Sequence, residues 1–270
     1  MRFVTFDAGE GPRAGILRDG DRVVEAGHSL RDLIAVSRIS EPSGADEIPL
    51  SEVQLLPPIP NPDKIICIGL NYRSHAAEAG VEAPDTPTFF AKFRNALVPD
   101  GAEVELPAAS QKVDYEAEVA FVVGPNPARN VSEEDALSYV AGYTLLNDLS
   151  ARDLQFATPQ WLPGKVFDGS APCGPAIVTP DEAGPPDAIE IELKLNGEVM
   201  QSASTSDLVH SIPRLLSHLS TLMTLVPGDI VSTGTPAGVG SVREPRVWLG
   251  AGDQIEINSP TLGTLRTTLI

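Results

Sequence analysis

Two glutamates, Glu116 and Glu118, stand one residue apart in a run rich in Val, Phe and Tyr that covers residues 114–123. Such a run predicts a β-strand, in which alternate side chains point to opposite faces. Both glutamates then share one face, while Tyr115 and Val119 belong to an apolar face. Two carboxylates this close repel, and the repulsion is relieved by a proton or by a cation. The oxygen ligands suit Mg²⁺, Mn²⁺ or Ca²⁺, although a solvated strand face is also compatible with so short a pattern.

Three more acid–base residues have spacings that fit the same chemistry. Asp148 follows a predicted strand over residues 142–147 and could supply a third carboxylate ligand. His75 and Glu78 are three residues apart, so one helical turn would place them on the same face. A carboxylate beside an imidazole fixes its tautomer, as a general base requires. An ordinary surface pair on a helix explains the same spacing.

A lysine and a glycine-rich loop could hold an anionic ligand. Lys165 lies among glycines and apolar residues, and a lysine is rarely buried without a partner. It is either a surface residue of a loop or a cation that binds an anion or an enolate. Residues 233–240 contain three glycines and Thr235, and such a loop exposes N–H groups and a hydroxyl to a carboxylate. The loop has neither a Walker lysine nor a dinucleotide-binding fingerprint.

The elements that must position these residues are short. The 25 prolines and 23 glycines favour many short strands over long helices. The hairpin around Asn196-Gly197 shows no evident chemistry, and His210 and His218 are interpreted as structural. The patterns predict strands over 2–7, 14–17, 21–24, 65–69, 88–93, 142–147, 190–195, 199–202, 230–232, 253–257 and 264–269, and helices over 30–37, 133–140 and 213–223.

Length and charge limit the possible partners. The proline-rich segment 56–62 predicts a boundary between a small N-terminal β/α domain, residues 1–58, and a catalytic domain, residues 59–270. A net charge of −18 argues against nucleic acid and anionic membranes as partners. No apolar run has the length of a membrane helix, and the N-terminus lacks the layout of a signal peptide. We therefore expect a soluble, cytoplasmic protein.

In this order, the segments resemble the fumarylacetoacetate hydrolase family in its compact bacterial branch, which includes acylpyruvases and 2-hydroxyhepta-2,4-diene-1,7-dioate isomerases. The likeness extends from about Ile65 to the C-terminus. It is carried by residues 69–72 with His75 and Glu78, 114–118, 147–148, 151–155, Lys165 with 167–168, and 232–240.

The resemblance implies a mixed, mainly β fold, a β-roll of several mixed sheets with short helices and a small N-terminal domain, usually as a homodimer. It implies a divalent metal, Mg²⁺ first and Mn²⁺ or Ca²⁺ as alternatives. Residue by residue, it implies metal ligands Glu116, Glu118 and Asp148, a catalytic pair His75 and Glu78 on a lid, Lys165 beside the metal, and substrate contacts from Arg152, Gln155 and Thr235.

The implied reaction is hydrolysis of a C–C bond in a β-diketo acid such as an acylpyruvate, through an enolate stabilised by the metal and Lys165. The alternative is isomerisation or decarboxylation of hydroxymuconate-type or oxaloacetate-like oxo diacids in aromatic catabolism. A third hypothesis is a binding module in which the metal is structural. Relatives that act on small oxo acids often carry Arg where this chain has Leu70, which leaves a longer or less charged substrate open.

Overall fold

The computed structural model describes residues 1–27, 29–36 and 46–270. The end of the helix predicted over 30–37 therefore lies outside the described residues. The described strands are β1 (Arg2–Asp7), β2 (Pro12–Arg18), β3 (Arg22–Gly27), β4 (Glu47–Pro49), β5 (Gln54–Leu56), β6 (Ile65–Gly69), β7 (Thr88–Lys92), β8 (Leu97–Val98), β9 (Ala102–Val104), β10 (Val113–Asp114), β11 (Ala117–Val123), β12 (Val140–Asn147), β13 (Ser150–Ala151), β14 (Ala171–Val178), β15 (Glu190–Leu195), β16 (Glu198–Ser204), β17 (Ile230–Ser232), β18 (Gln254–Ser259) and β19 (Gly263–Leu269).

The helices that connect these strands are short. They are α1 (Leu30–Ala35), α2 (Arg73–Glu78), α3 (Arg152–Gln155), α4 (Pro180–Ala183) and α5 (Ile212–Leu222), with 3₁₀ turns at Leu50–Glu52, Arg94–Ala96, Ala136–Tyr139, Leu162–Gly164, Thr205–Asp207 and Gly240–Val242. Helix α5 begins at the N-cap Ser211, whose side chain accepts a hydrogen bond from the Arg214 N–H. The mainly β fold of mixed sheets and short helices predicted above is confirmed.

Two large sheets form the body of the protein. The first has the strand order β4-β3-β2-β1-β14-β12-β11-β17-β6-β7, with β5 paired to β1 and β8 paired to β14. It is mixed, because β17 runs parallel to β6 while β11 and β12 are antiparallel. The second sheet has the order β16-β15-β18-β19-β9 and packs its apolar side, with α5, against the first sheet.

Strand β11 lies at the centre of the first sheet and is buried along its whole length. Val119 and Phe121 belong to the large core between the two sheets. Ala120 and Val122, on the opposite face, pack into a second core that includes Ile34 of α1. Since both faces of β11 are covered by apolar residues, the strand gives the acidic residues near its start a rigid support.

The N-terminal strands are continuous with the first sheet. Arg2 and Phe3 of β1 pair with Val178 and Ile177 of β14, and Phe3 contributes to the core behind β11. The strand meander and the first helix predicted for this segment are confirmed within the described residues. The boundary between domains 1–58 and 59–270 stays a prediction.

Two local expectations were wrong. Residues 133–140 do not form a helix: a 3₁₀ turn covers Ala136–Tyr139, because Val140 is already part of β12 and pairs with Val123. The strand expected over 114–123 is interrupted at Tyr115 and Glu116. These two residues lie between β10, which pairs with β13, and β11, which begins at Ala117. Among the described residues, no helix has the length and apolar character needed to cross a membrane.

Candidate metal centre and its cavity

Three buried carboxylates converge at the start of β11. Glu116, Glu118 and Asp148 each offer an oxygen within 4.8 Å of the others. Their residues are 5%, 1% and 0% exposed. The sequence pattern left a solvated strand face open for the two glutamates, and this burial excludes it. Carboxylates buried this close together need compensating positive charge.

Backbone pairing brings Asp148 to the two glutamates. Asp148 follows β12, whose residue Asn147 lies opposite Ala117 of β11. The Asp148 N–H donates to the Glu116 carbonyl at 2.9 Å, and the Asn147 side-chain carbonyl accepts from the Glu116 N–H at 3.2 Å. The irregular residues between β10 and β11 are thus held by β12.

Three cationic side chains surround two of the carboxylates. Lys165 Nζ lies 2.7 Å from Glu116 Oε2 and 2.8 Å from Asp148 Oδ2. Arg152 Nη2 lies 2.7 Å from Glu116 Oε1, and Lys92 Nζ lies 2.8 Å from Asp148 Oδ1. The structure therefore places Lys165 against two of the three predicted ligands, bonded directly to both.

Glu118 differs from the other two carboxylates, because neutral donors alone hold it among the described residues. Its Oε2 accepts hydrogen bonds from the Ser232 hydroxyl and, at 3.1 Å, from the Gly234 N–H. Burial, with the negative charges of Asp148 and Glu116, raises the pKa of Glu118 well above its usual value. Burial also acts to raise the pKa of Glu116, but Arg152 and Lys165 outweigh it and lower that pKa to about 2.

The charge balance at the site fits a divalent cation. Asp114, which pairs with Arg152 at 2.9 Å, adds a fourth carboxylate to the three that converge. When all four carboxylates are ionised, the three cationic side chains leave one negative charge uncompensated, and it falls on Glu118. Three carboxylate oxygens are ligands that Mg²⁺, Mn²⁺ and Ca²⁺ prefer. A bound cation would share Glu116 and Asp148 with Lys165.

The two glutamate carboxylates open into a cavity of about 520 Å³. Aromatic residues form much of its wall: Trp161 packs edge-on against Phe90, with ring centroids 6.0 Å apart, and Lys165 Nζ lies 4.8 Å above the Phe90 ring. Gly69 leaves the space that Trp161 fills, since a Cβ there would approach its ring within 2.4 Å. The cavity is therefore charged at one end and apolar along its side.

His75 and Glu78 lie on α2, at the wall of the cavity. His75 lines it, and its Nδ1 is 3.5 Å from Glu78 Oε2. Both Glu78 oxygens accept from the Gly238 N–H at 3.0 Å, which ties the helix to the glycine-rich loop. The structure thus brings the predicted pair to the carboxylates.

The three predicted substrate contacts also line the cavity, and all three are buried. Arg152 donates to Gln155 Oε1 at 3.0 Å, so the short helix α3 presents the two side chains together. Thr235 Oγ1 accepts from the Gln201 amide at 2.8 Å. Their contact with a substrate stays a prediction.

Two residues of the charge network escaped sequence analysis. Lys92 was assigned only to a strand, yet its ammonium also binds the carbonyl of Leu149 and the hydroxyl of Ser170. Asp114 was assigned only to the predicted strand over 114–123, and the structure shows that it binds Arg152 and the N–H groups of Gly240 and Ser241. A lysine within an apolar strand was the available signal for Lys92.

Comparison with known families gives two matches along the chain. Residues 64–270 match the family described as fumarylacetoacetate (FAA) hydrolase, C-terminal. Residues 1–58 match the family described as Rv2993c-like, N-terminal. The first match covers both sheets' central strands and every residue of the carboxylate centre.

Similar proteins have related names. The chain is 37% identical over 289 residues to an oxaloacetate tautomerase, fahd2, of Xenopus laevis, covering 100% of this chain and 90% of that protein. A fumarylacetoacetate hydrolase from Exiguobacterium antarcticum superposes with a TM-score of 0.90 at 33% identity, covering 100% and 99% of the two chains. A 2-hydroxyhepta-2,4-diene-1,7-dioate isomerase from Mycobacterium marinum gives 0.84 at 31% identity, covering 100% and 98%.

The first prediction concerns metal affinity. Glu118→Gln should weaken Mn²⁺ binding on the order of 100-fold or more, since changes outside the ligand shell already cost ~10–100-fold. Isothermal titration of the metal-free protein measures this, with the exposed Glu190→Gln as a control of equal charge change. Unchanged Mn²⁺ affinity in Glu118→Gln would remove this glutamate from the ligand set.

A second prediction concerns the metal-free protein. Glu116→Gln should lower the free energy of unfolding by roughly 3–5 kcal/mol, because it breaks two buried ion pairs. Glu118→Gln should leave that free energy unchanged or raise it, because it replaces a buried carboxyl group that has no cationic partner among the described residues. Urea denaturation in EDTA measures both variants, and equal losses for the two would contradict the charge assignment.

Proposed function

The chain belongs to the fumarylacetoacetate hydrolase family, and we propose that this enzyme is a metal-dependent isomerase of 2-oxo diacids. The reaction would move a proton between the carbon next to the oxo group and another atom of the conjugated chain, through an enolate. The observation that carries the proposal is the shared cavity, which His75 and Lys165 line together with Glu116 and Glu118.

The residues of this chain have defined tasks in such a reaction. His75 would remove the proton from carbon, and Nε2 is the ring nitrogen left for this exchange because Nδ1 is turned toward Glu78. Lys165 would stabilise the negative charge that develops on the enolate oxygen. A divalent cation held by Glu116, Glu118 and Asp148 would supply polarisation of the 2-oxo group as a Lewis acid. Return of the proton to oxygen gives the enol, and its transfer to a different carbon of the conjugated chain gives an isomer.

The names of the relatives support a diacid as the substrate. Oxaloacetate, fumarylacetoacetate and 2-hydroxyhepta-2,4-diene-1,7-dioate each carry two carboxylates. Two of these three proteins are named as a tautomerase or an isomerase, which favours proton transfer over hydrolysis as the main reaction. A binding module with a structural metal is disfavoured by membership of this enzyme family.

Cations at the rim of the cavity support the same substrate class. Lys112 and Arg246 line the cavity with exposed side chains and have no ion pair within the described ranges. Asp153 also lines it, but its oxygens accept from Ser110 and Gln111. Leu70, in the cavity wall, supplies no charge. A second carboxylate, distant from the metal end, would therefore meet Lys112 and Arg246.

Hydrolysis of a β-diketo acid such as an acylpyruvate is the second candidate. One observation favours it: a structure that superposes over the whole chain is named a fumarylacetoacetate hydrolase. In that reaction His75 would take its proton from water instead of carbon. Decarboxylation of an oxo diacid would pass through the same enolate. The products formed from oxaloacetate, an acylpyruvate and a hydroxymuconate-type diacid distinguish these reactions.

A third prediction tests the base. His75→Ala should lower kcat for isomerisation by ~10²–10⁴-fold, the usual contribution of a general base. Mn²⁺ affinity should not change, because His75 is not among the three carboxylate ligands. The measurement is enolisation followed by ultraviolet absorbance, with titration of Mn²⁺ on the same samples. Retained turnover of the diacid would exclude His75 as the base.

A fourth prediction tests the rim. Lys112→Gln and Arg246→Gln should each raise KM for a 2-oxo diacid about fivefold, the effect of losing one exposed charge pair of ~1 kcal/mol. KM for a 2-oxo monoacid of equal chain length should stay constant. Arg94→Gln, exposed and outside the cavity, is the matched control. Equal effects on the diacid and the monoacid would contradict recognition of a second carboxylate.

A further inference from the structure

Gln201 lies in the hairpin for which the sequence indicated no chemistry, yet its side chain reaches the centre of the site. It belongs to β16, an edge strand of the second sheet, and is 2% exposed. The register of β15 and β16 shifts next to it, which leaves Met200 as an extra residue on β16. Such a bulge re-aims the neighbouring side chain. Here it turns the Gln201 amide away from its own sheet.

The amide bridges two segments of the first sheet. Gln201 Oε1 accepts at 2.9 Å from the N–H of Ala117, the residue between the two glutamates. Gln201 Nε2 donates to Thr235 Oγ1 at 2.8 Å and to the Pro236 carbonyl at 2.9 Å. One side chain therefore connects the acidic strand to the glycine-rich loop.

The chemistry of these partners fixes the orientation of the amide. The Ala117 N–H can only donate and the Pro236 carbonyl can only accept, so the oxygen of Gln201 must face Ala117 and its NH₂ group must face the loop. Thr235 Oγ1 is then an acceptor of the amide. A hydroxyl has a single proton, and the amide NH₂ group cannot accept it.

The hydroxyl proton of Thr235 is consequently left for a ligand. Among the described residues, no acceptor is found for it, and Thr235 lines the cavity that holds the carboxylates. We propose that Gln201 is a positioning residue: it fixes the direction of the Thr235 hydroxyl so that it donates to an oxygen of the bound oxo acid. The inference rests on the proposed function only for the class of ligand.

The test is a double-mutant cycle with oxalate, a small dianion that resembles an enolised oxo acid. Gln201→Met and Thr235→Val should each weaken oxalate binding to the Mn²⁺-loaded protein about tenfold, as expected for losing a hydrogen bond to a charged group. The double variant should bind no more weakly than either single variant, because both changes remove the same hydrogen bond. Titration calorimetry gives the dissociation constants.

Three further variants make the cycle specific. Gln201→Glu keeps the shape and the acceptor for Ala117, but its second oxygen would accept the Thr235 proton, so it should weaken oxalate binding at least as much as Gln201→Met. Thr235→Ser keeps the hydroxyl and should preserve binding. Gln254→Met, exposed on β18 of the same sheet, is the matched control. Melting temperatures and Mn²⁺ affinity identify any variant that has lost the fold.

Additive effects of Gln201→Met and Thr235→Val, or oxalate binding by Gln201→Glu equal to that of the unmodified protein, would overturn the positioning role. Coupled effects together with preserved binding in Thr235→Ser would support it. The proposed function fails in a different measurement, through absence of turnover with 2-oxo diacids, and the oxalate cycle does not depend on turnover.

Discussion

Burial of several carboxylates at one point is the constraint on which the rest of the site depends. Glu116, Glu118 and Asp148 are nearly inaccessible, and ionised carboxylates in such surroundings require partners. Lys92 forms an ion pair with Asp148, and Lys165 forms ion pairs with both Glu116 and Asp148. The cations come from different elements, namely β7, α3 and the segment after the Leu162–Gly164 turn, so the site forms only when the sheet and its connections are complete.

The compensating positive charge is distributed unevenly among the three acidic residues. Glu116 receives two cationic partners, while Glu118 receives a hydroxyl and a backbone N–H. Neutral donors orient a carboxylate but leave its charge in place, and burial makes that charge costly. The centre is consequently most attractive to a cation on the side of Glu118. Next to a lysine and an arginine, a divalent ion would make the inner end of the cavity positive, in a chain whose net charge is −18.

The local sequence pattern was sufficient to predict the strands, turns and helices that are determined by residues close together in the chain. Alternation predicted β11, the Asn-Gly turn predicted the β15–β16 hairpin, and the helix predicted over 213–223 is observed as α5. The three acidic residues could be grouped because two belong to one predicted strand and the third follows another predicted strand. The helix expected over 133–140 failed because pairing of Val140 with Val123 extends β12, a tertiary effect that propensity does not contain.

The residues that escaped prediction act over long separations in the chain. Lys92 meets the Lys165 carbonyl 73 positions later, and Gln201 meets Ala117 across 84 positions. Each lies in a strand, and the local sequence pattern of that strand gives no sign that the residue has a role in the site. Gln201 shows the consequence most clearly: a polar residue on an edge strand is normally left to solvent, whereas here a bulge and a neighbouring sheet enclose it. Its three hydrogen-bond partners all belong to the acidic strand and the loop, so the second sheet helps to set the chemistry of the site as well as to cover the core.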